Sequence, residues 1–198
     1  MCRFNNTRKF MKGKRMKVVA LLEKYFSSHY ALSIILEHSR LVAAKALQVA
    51  DALKCTEIDR RFIEEAALLH DIGVCRTASP RLGCHGKEPY IRHGVIGREI
   101  LEAEGLPRHA LVCERHIGVG LTIEDIRIQS LFLPERDMTP VSLEERIVSF
   151  ADLFYSKKPN AVHIEKTPDQ VRKNLTRYGE HKTAIFDDWL REFLCRRL

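Results

Sequence analysis

Polar residues on the apolar faces of helices are the feature of this sequence that most constrains its fold. His70 shares one helical face with Ile63, seven residues earlier, and with Ala66, four residues earlier. Side chains at this spacing lie on one side of a helix, so His70 is predicted to point into a protein core. A buried polar group costs about 1–3 kcal/mol unless it finds a partner.

Three more polar residues, His38, His93 and Asp152, occupy comparable positions on apolar helical stripes. His38, for example, lies between Ile34 and Val42 at four-residue spacing. Four such residues in one interior are hard to satisfy with backbone groups alone, whereas a divalent cation accepts both neutral imidazole and carboxylate. With two further residues nearby in sequence, the candidate metal ligands are His38, His70, Asp71, His93, His116 and Asp152.

Helical signals recur along the chain, and alternating strand-like runs are scarce. Ser142 with Glu145, and Thr167 with Gln170, have the spacing of capping boxes that begin helices. Glycines and prolines over about residues 72–90 predict an irregular loop. The sequence therefore predicts an all-α domain of seven to nine helices with no sheet.

Charge is distributed unevenly. Residues 1–17 hold seven basic residues and no acidic one, whereas the chain as a whole carries a net charge of +7. Residues 18–198 are therefore formally neutral. Contact with nucleic acid or an anionic surface is expected only through the basic arm at residues 1–17. The alternative interpretation of this arm is a disordered terminus. Six cysteines without a CxxC pair, and no apolar run of about 18 residues, predict a cytoplasmic protein with reduced thiols and no membrane partner.

Three local phrases carry a family resemblance. AALLHDIG at 66–73, RHGVIGREIL at 92–101 and ERIVSFAD at 145–152, together with His38 and His116, resemble the HD-domain superfamily of metal-dependent phosphohydrolases. The resemblance extends from about residue 30 to 158. It implies an HD-domain helical bundle with a metal site in its core. We expect a basic arm over 1–17, the HD domain over 18–160, and C-terminal helices over 161–198 that complete the core or form an oligomer surface.

The resemblance also implies roles for the six residues. His38, His70, Asp71 and Asp152 match the ligands of the family's first metal, while His93 and His116 match those of a second metal that Asp71 bridges. One or two divalent metals are therefore expected, iron or manganese first, with zinc, cobalt and magnesium also compatible; the histidine-rich ligand set argues against magnesium alone. The sequence lacks the motifs of the cyclic-dinucleotide and alarmone branches, so it resembles the small stand-alone members.

The expected activity is hydrolysis of a phosphate ester or anhydride, on a nucleotide or another phosphorylated small molecule. Asp71 and His70 are the expected catalytic residues. Because they flank the histidines in sequence, Arg76, Lys87 and Arg92 are the candidate substrate-binding residues. Monoesters, diesters and dinucleoside polyphosphates are not distinguished, and a homo-oligomer is compatible with the sequence.

Two other functions remain open at this point. Some proteins that share the HD fold hold a mixed-valent di-iron centre with the same six ligands and carry out oxygenase chemistry. Alternatively, the site could sense a nucleotide without converting it, as a regulatory module would. Neither alternative is separated from hydrolysis by the ligand residues.

Overall fold

A computed structural model describes residues 18–53 and 57–194, so the predicted basic arm at 1–17 lies outside the described residues. In this part the chain forms nine α-helices, joined by turns and short 3-10 segments, and the prediction of an all-α fold is confirmed. The helices are α1 at residues 18–25, α2 (His29–Leu53), α3 (Arg60–Leu69), α4 (His93–Ala103), α5 (Pro107–Arg115), α6 (Ile123–Ile128), α7 (Leu143–Asp152), α8 (Pro168–Leu175) and α9 (Glu180–Leu194).

The predicted absence of a sheet is wrong at one place. Within the 72–90 loop, strand β1 (Ala78–Ser79) pairs antiparallel with strand β2 (Cys84–His85). Gly83 has a φ of 72°, in the left-handed region that glycine tolerates, and it precedes the second strand. The two strands form a hairpin of two residues each, which is too short to give an alternating pattern in the sequence.

Helix starts follow the capping signals in the sequence. Thr167 and Gln170 form the predicted reciprocal capping box at the start of α8. At α7, the Ser142 hydroxyl accepts the backbone N–H of Glu145, as a capping box requires. The Glu145 carboxylate, however, accepts hydrogen bonds from the Arg115 guanidinium at 2.9 and 3.1 Å. This ion pair therefore ties α7 to the end of α5.

Helices α2 and α7 lie at the centre of the core. Helix α2 packs against α3, α7 and α9, and α3 also contacts α5 and α7. The last helix joins the same core, because the rings of Phe186 and Phe193 lie 5.7 and 5.2 Å from the ring of Phe150 on α7. Over 18–53 and 57–194, no helix is both long and apolar enough to cross a membrane.

A close backbone contact brings α4 against the segment that follows α3. A Cβ added at Gly73 would lie 2.0 Å from the carbonyl oxygen of His93 and 2.5 Å from the backbone nitrogen of Gly97. Neither atom can move independently of its helix, so only glycine permits this approach. The contact places the first residue of α4, His93, beside the His70–Asp71 dipeptide.

Candidate metal centre

Six nitrogen- and oxygen-donor side chains from five helices and their ends meet in the core. Helix α2 supplies one from its middle, and the others lie at or next to helix ends. The donors are His38 on α2, His70 and Asp71 after α3, His93 at the start of α4, His116 after α5, and Asp152 at the end of α7. Five of these side chains are at most 5% exposed, and that of Asp152 is 15% exposed.

The carboxylate of Asp71 lies between two groups of histidines. Its Oδ2 atom is 3.1 Å from Nε2 of His70 and 3.4 Å from Nε2 of His38. Its Oδ1 atom is 3.5 Å from Nε2 of His93 and 3.6 Å from Nε2 of His116. The two oxygens of one side chain therefore belong to two different donor groups.

Each donor group is compact. In the first, Oδ1 of Asp152 lies 2.9 Å from Nε2 of His38 and 3.5 Å from Nε2 of His70. In the second, the Nε2 atoms of His93 and His116 lie 3.1 Å apart. Two overlapping sets have ligand atoms that all lie within 4.8 Å of one another: His38, His70 and Asp152, and His70, Asp71 and His116.

Main-chain carbonyl groups orient three of the four imidazole rings. The Nδ1 atom lies 2.7 Å from the carbonyl oxygen three residues earlier in His70 (Ala67), His93 (Tyr90) and His116 (Cys113). Each Nδ1 donates its proton to that carbonyl, so in the neutral ring the Nε2 lone pair is directed at the shared interior. His70 and His116 cap the C-terminal ends of α3 and α5, where carbonyls lack helical partners.

The protonation of the rings differs with their surroundings. Burial, with the nearby Lys157 ammonium, lowers the pKa of His38 to about 4, and burial next to His116 lowers the pKa of His93 to about 3. Burial would also lower the pKa of His70, but the Asp71 and Asp152 carboxylates outweigh it and raise that pKa to about 10. In the metal-free protein, a proton on His70 therefore balances part of the carboxylate charge.

The donors fit a divalent metal. Among the described residues, neither carboxylate oxygen of Asp71, nor Oδ1 of Asp152, accepts a conventional hydrogen bond, although all three are buried. Buried carboxylate oxygens without hydrogen-bond donors are costly, and a divalent cation removes that cost while accepting neutral imidazole. The arrangement, in which one carboxylate faces two histidine groups, has donors for two such ions.

A largely buried lysine that the sequence analysis missed, with a side chain 14% exposed, lies against the same carboxylates. The Lys157 Nζ atom is 2.9 Å from Oδ2 of Asp71 and 3.9 Å from Oδ1 of Asp152. Burial opposes its charge, but the two carboxylates outweigh that effect and hold its pKa well above the usual range. Lys157 lies five residues after Asp152 in the turn beyond α7, where helical periodicity no longer identifies inward-facing positions.

The structure places two of the three predicted substrate-binding residues in a different cavity and pairs the third with a carboxylate. Arg76 and Lys87 line a separate cavity of about 460 Å³ together with Ser27 and Ser28, and none of the six donors lines it. The Arg92 guanidinium pairs with the Glu88 carboxylate at 3.0 Å. Their role as a phosphate clamp stays a prediction.

A larger cavity adjoins the donors. It has a volume of about 470 Å³ and is lined by Asp152 together with residues after His116, the turn beyond α7, and α8. Its lining is mainly apolar and includes Ile117, Val119, Leu131 and Leu175. A molecule held in this cavity would touch one of the donor carboxylates.

Residues 35–156, more than half of the chain, match the HD domain family model, so the chain belongs to the HD-domain family. An HD domain is typically a metal-dependent hydrolase and binds divalent metals. The recognition from the sequence motifs is thus confirmed.

Three relatives illustrate the similarity to individual proteins. An uncharacterised protein of Methanocaldococcus jannaschii, MJ0778, is 38% identical over 156 residues, which cover 76% of this chain and 81% of that protein. A tRNA (cytidine(56)-2′-O)-methyltransferase of Picrophilus torridus is 36% identical over 75% of this chain, and that of Thermoplasma volcanium is 33% identical over 82%. The matches span only 39% and 44% of those two proteins. No solved structure matches the chain.

Proposed function

We propose that this HD domain hydrolyses a phosphate ester or anhydride of a nucleotide, with iron or manganese as the metal. The observation that carries the proposal is the Asp71 carboxylate, which faces one histidine group with each oxygen while the Lys157 ammonium lies 2.9 Å from Oδ2. A donor set that can hold divalent metals, with an ammonium group beside it, provides the positive charge that a phosphoryl group requires.

In the proposed reaction, the donor side chains would hold the metal and Lys157 would bind the substrate. When bound, divalent metals would activate water near neutral pH and neutralise charge on the phosphoryl oxygens. Asp71 would offer one carboxylate oxygen to each histidine group, and His70 and His93 would supply Nε2 donors to a metal held there. The Lys157 ammonium, already buried beside the donors, would bind a non-bridging phosphoryl oxygen and orient the substrate.

The turn that carries Lys157 is itself held in place. The Lys166 Nζ atom donates hydrogen bonds to the carbonyl oxygens of Leu153 and Tyr155, at 2.8 and 2.9 Å. The backbone N–H of Lys166 donates to the carbonyl oxygen of Phe154 at 2.8 Å. Three bonds from one residue thus fix the segment between Asp152 and Lys157, so the ammonium is oriented before a substrate arrives.

Asp71→Ala tests the proposal. Protein loaded with Mn(II) or Fe(II) is screened against monophosphates, diesters, nucleoside triphosphates and dinucleoside polyphosphates. The variant should lose turnover on whichever substrate is hydrolysed and should bind less metal, because the shared ligand is gone. Asp169→Ala, which removes a carboxylate that is 90% exposed, is the matched control and should behave like the original protein.

Other outcomes would favour the alternatives. Full turnover by Asp71→Ala would refute the assignment of the centre. Oxygen consumption by an Fe(II)/Fe(III) form, without phosphate release, would identify an oxygenase. Tight nucleotide binding with no product after long incubation would identify a sensing module.

A further inference from the structure

We infer that the 470 Å³ cavity beside Asp152 binds the uncharged nucleoside part of a nucleoside monophosphate, and this inference rests on the proposed function. The phosphate would lie at the donors and at Lys157, and the base and sugar would extend away from them. The size, polarity and charge of the cavity lining favour such a ligand.

The size and polarity of the cavity suit a small organic group. Binding sites for such molecules usually measure about 300–1,000 Å³ and are mostly apolar, with a few polar groups that fix orientation. Here the apolar walls come from Ile117, Val119 and Leu131 on one side and from Leu175 on α8 on the other. Asp152 belongs to the same lining, so the cavity adjoins the candidate metal centre at this carboxylate.

The positive charges in the lining are already bound to the protein. Among the described residues, the charged side chains that line the cavity are Asp152, Lys166 and Lys182. Lys166 donates to two main-chain carbonyls, as described above. The Lys182 ammonium, only 4% exposed, forms an ion pair with the Asp125 carboxylate and donates to the carbonyl oxygen of Gly120 at 2.7 Å.

A chain of phosphates in this cavity would therefore lose its hydration and meet one ammonium that bonds only neutral carbonyls, that of Lys166, together with the like-charged Asp152 carboxylate. Transfer of unpaired anionic groups from water to an apolar site is strongly unfavourable. By contrast, Gln129 and Asn174 offer neutral amides that can donate and accept hydrogen bonds. Such amides suit the polar edge of a nucleobase whose faces contact apolar side chains, so the lining favours one phosphate and a neutral body over a polyphosphate.

Asn174→Trp tests the assignment, because Asn174 is exposed on α8 and lines the cavity. The matched control is Lys173→Trp, an adjacent exposed position that does not line it. Hydrolysis of adenosine and cytidine 5′-monophosphates is compared with that of ribose 5-phosphate, ATP and diadenosine tetraphosphate. We expect Asn174→Trp to raise KM for the nucleoside monophosphates about tenfold or more, with little change for ribose 5-phosphate or in the control.

A second measurement does not depend on turnover. Adenosine binding to metal-free protein, followed by calorimetry, should be detectable in the original protein and in Lys173→Trp, and weakened in Asn174→Trp. Faster hydrolysis of ATP or diadenosine tetraphosphate than of the monophosphates would overturn the inference, as would equal effects of Asn174→Trp on all substrates or absence of adenosine binding. Adenosine binding that Asn174→Trp weakens, with no hydrolysis of any phosphate, would support the nucleoside site and contradict the proposed function.

Discussion

Replacement of Gly73 by alanine tests how the two histidine groups are brought together. The new Cβ would lie 2.0 Å from the His93 carbonyl oxygen, whereas ordinary contacts begin near 3.4 Å, so α4 must move by about 1.4 Å. Because the obstructing atoms belong to the backbone of α4, no side-chain rotation relieves the overlap. Overpacking of this kind typically costs about 1–3 kcal/mol, and we expect about 3 kcal/mol here since two backbone atoms are involved.

The shift should also separate the metal ligands selectively. A displacement of 1.4 Å is large beside the 3.5 Å between His93 Nε2 and Asp71 Oδ1, but it leaves His38 and Asp152 on α2 and α7 in place. Metal content, measured by mass spectrometry, should therefore fall most at the group that contains His93.

Urea denaturation gives the free energy of unfolding, and Gly105→Ala serves as the control. Gly105 has a φ of 73° but no atom within 4 Å of an added Cβ, so its substitution should cost only the strain of a left-handed backbone, about 1–2 kcal/mol. If Gly73→Ala destabilises the protein less than Gly105→Ala does and retains all its metal, the close approach of α4 is not what assembles the centre.

Two further predictions concern the charged groups at the centre. Lys157→Met should retain metal but lower kcat by about 10²–10³-fold, the usual cost of removing one donor to developing charge. The matched control is Lys173→Met, at an exposed position on α8 that does not line the cavity, and full turnover by Lys157→Met would remove Lys157 from the mechanism. His70, with a pKa of about 10, is protonated near neutral pH, whereas His38 and His93 are neutral. Binding of Mn(II) should therefore release about one proton, and the affinity of the protein for Mn(II) should rise between pH 6 and 8. Calorimetry in buffers of different ionisation enthalpy measures this release, and a pH-independent affinity would contradict the charge assignment.

The helical class of the fold and the convergence of the six donors follow from regular features of the sequence. His38, His70 and Asp152 repeat with apolar residues at helical spacing, so their inward direction can be derived from the order of the amino acids alone. Asp71 and His116 lie at helix ends and were identified through their neighbours and the family motifs. The capping signal at Thr167 likewise depends on local hydrogen bonds alone.

What the sequence did not reveal depends on irregular backbone. Lys157 lies in a turn whose path is fixed by hydrogen bonds from Lys166, nine residues later, and no short-range pattern encodes that contact. Arg76 is close to His70 in sequence, but the 3-10 segment between Ile72 and Arg76 carries it towards the hairpin and the separate cavity. The short distance in sequence between Arg76 and His70 therefore did not predict the direction of the Arg76 side chain.

The orientation of three imidazole rings by main-chain carbonyls affects which amino-acid substitutions the metal centre tolerates. A carbonyl is supplied by every amino acid, so the tautomer of His70, His93 and His116 does not depend on which residues occupy positions 67, 90 and 113. Substitutions there can alter the packing of the site or the shape of its entrance without rotating a donor nitrogen. The same ligand geometry is thereby compatible with many different surroundings, and new specificities could arise around it by changes in single residues.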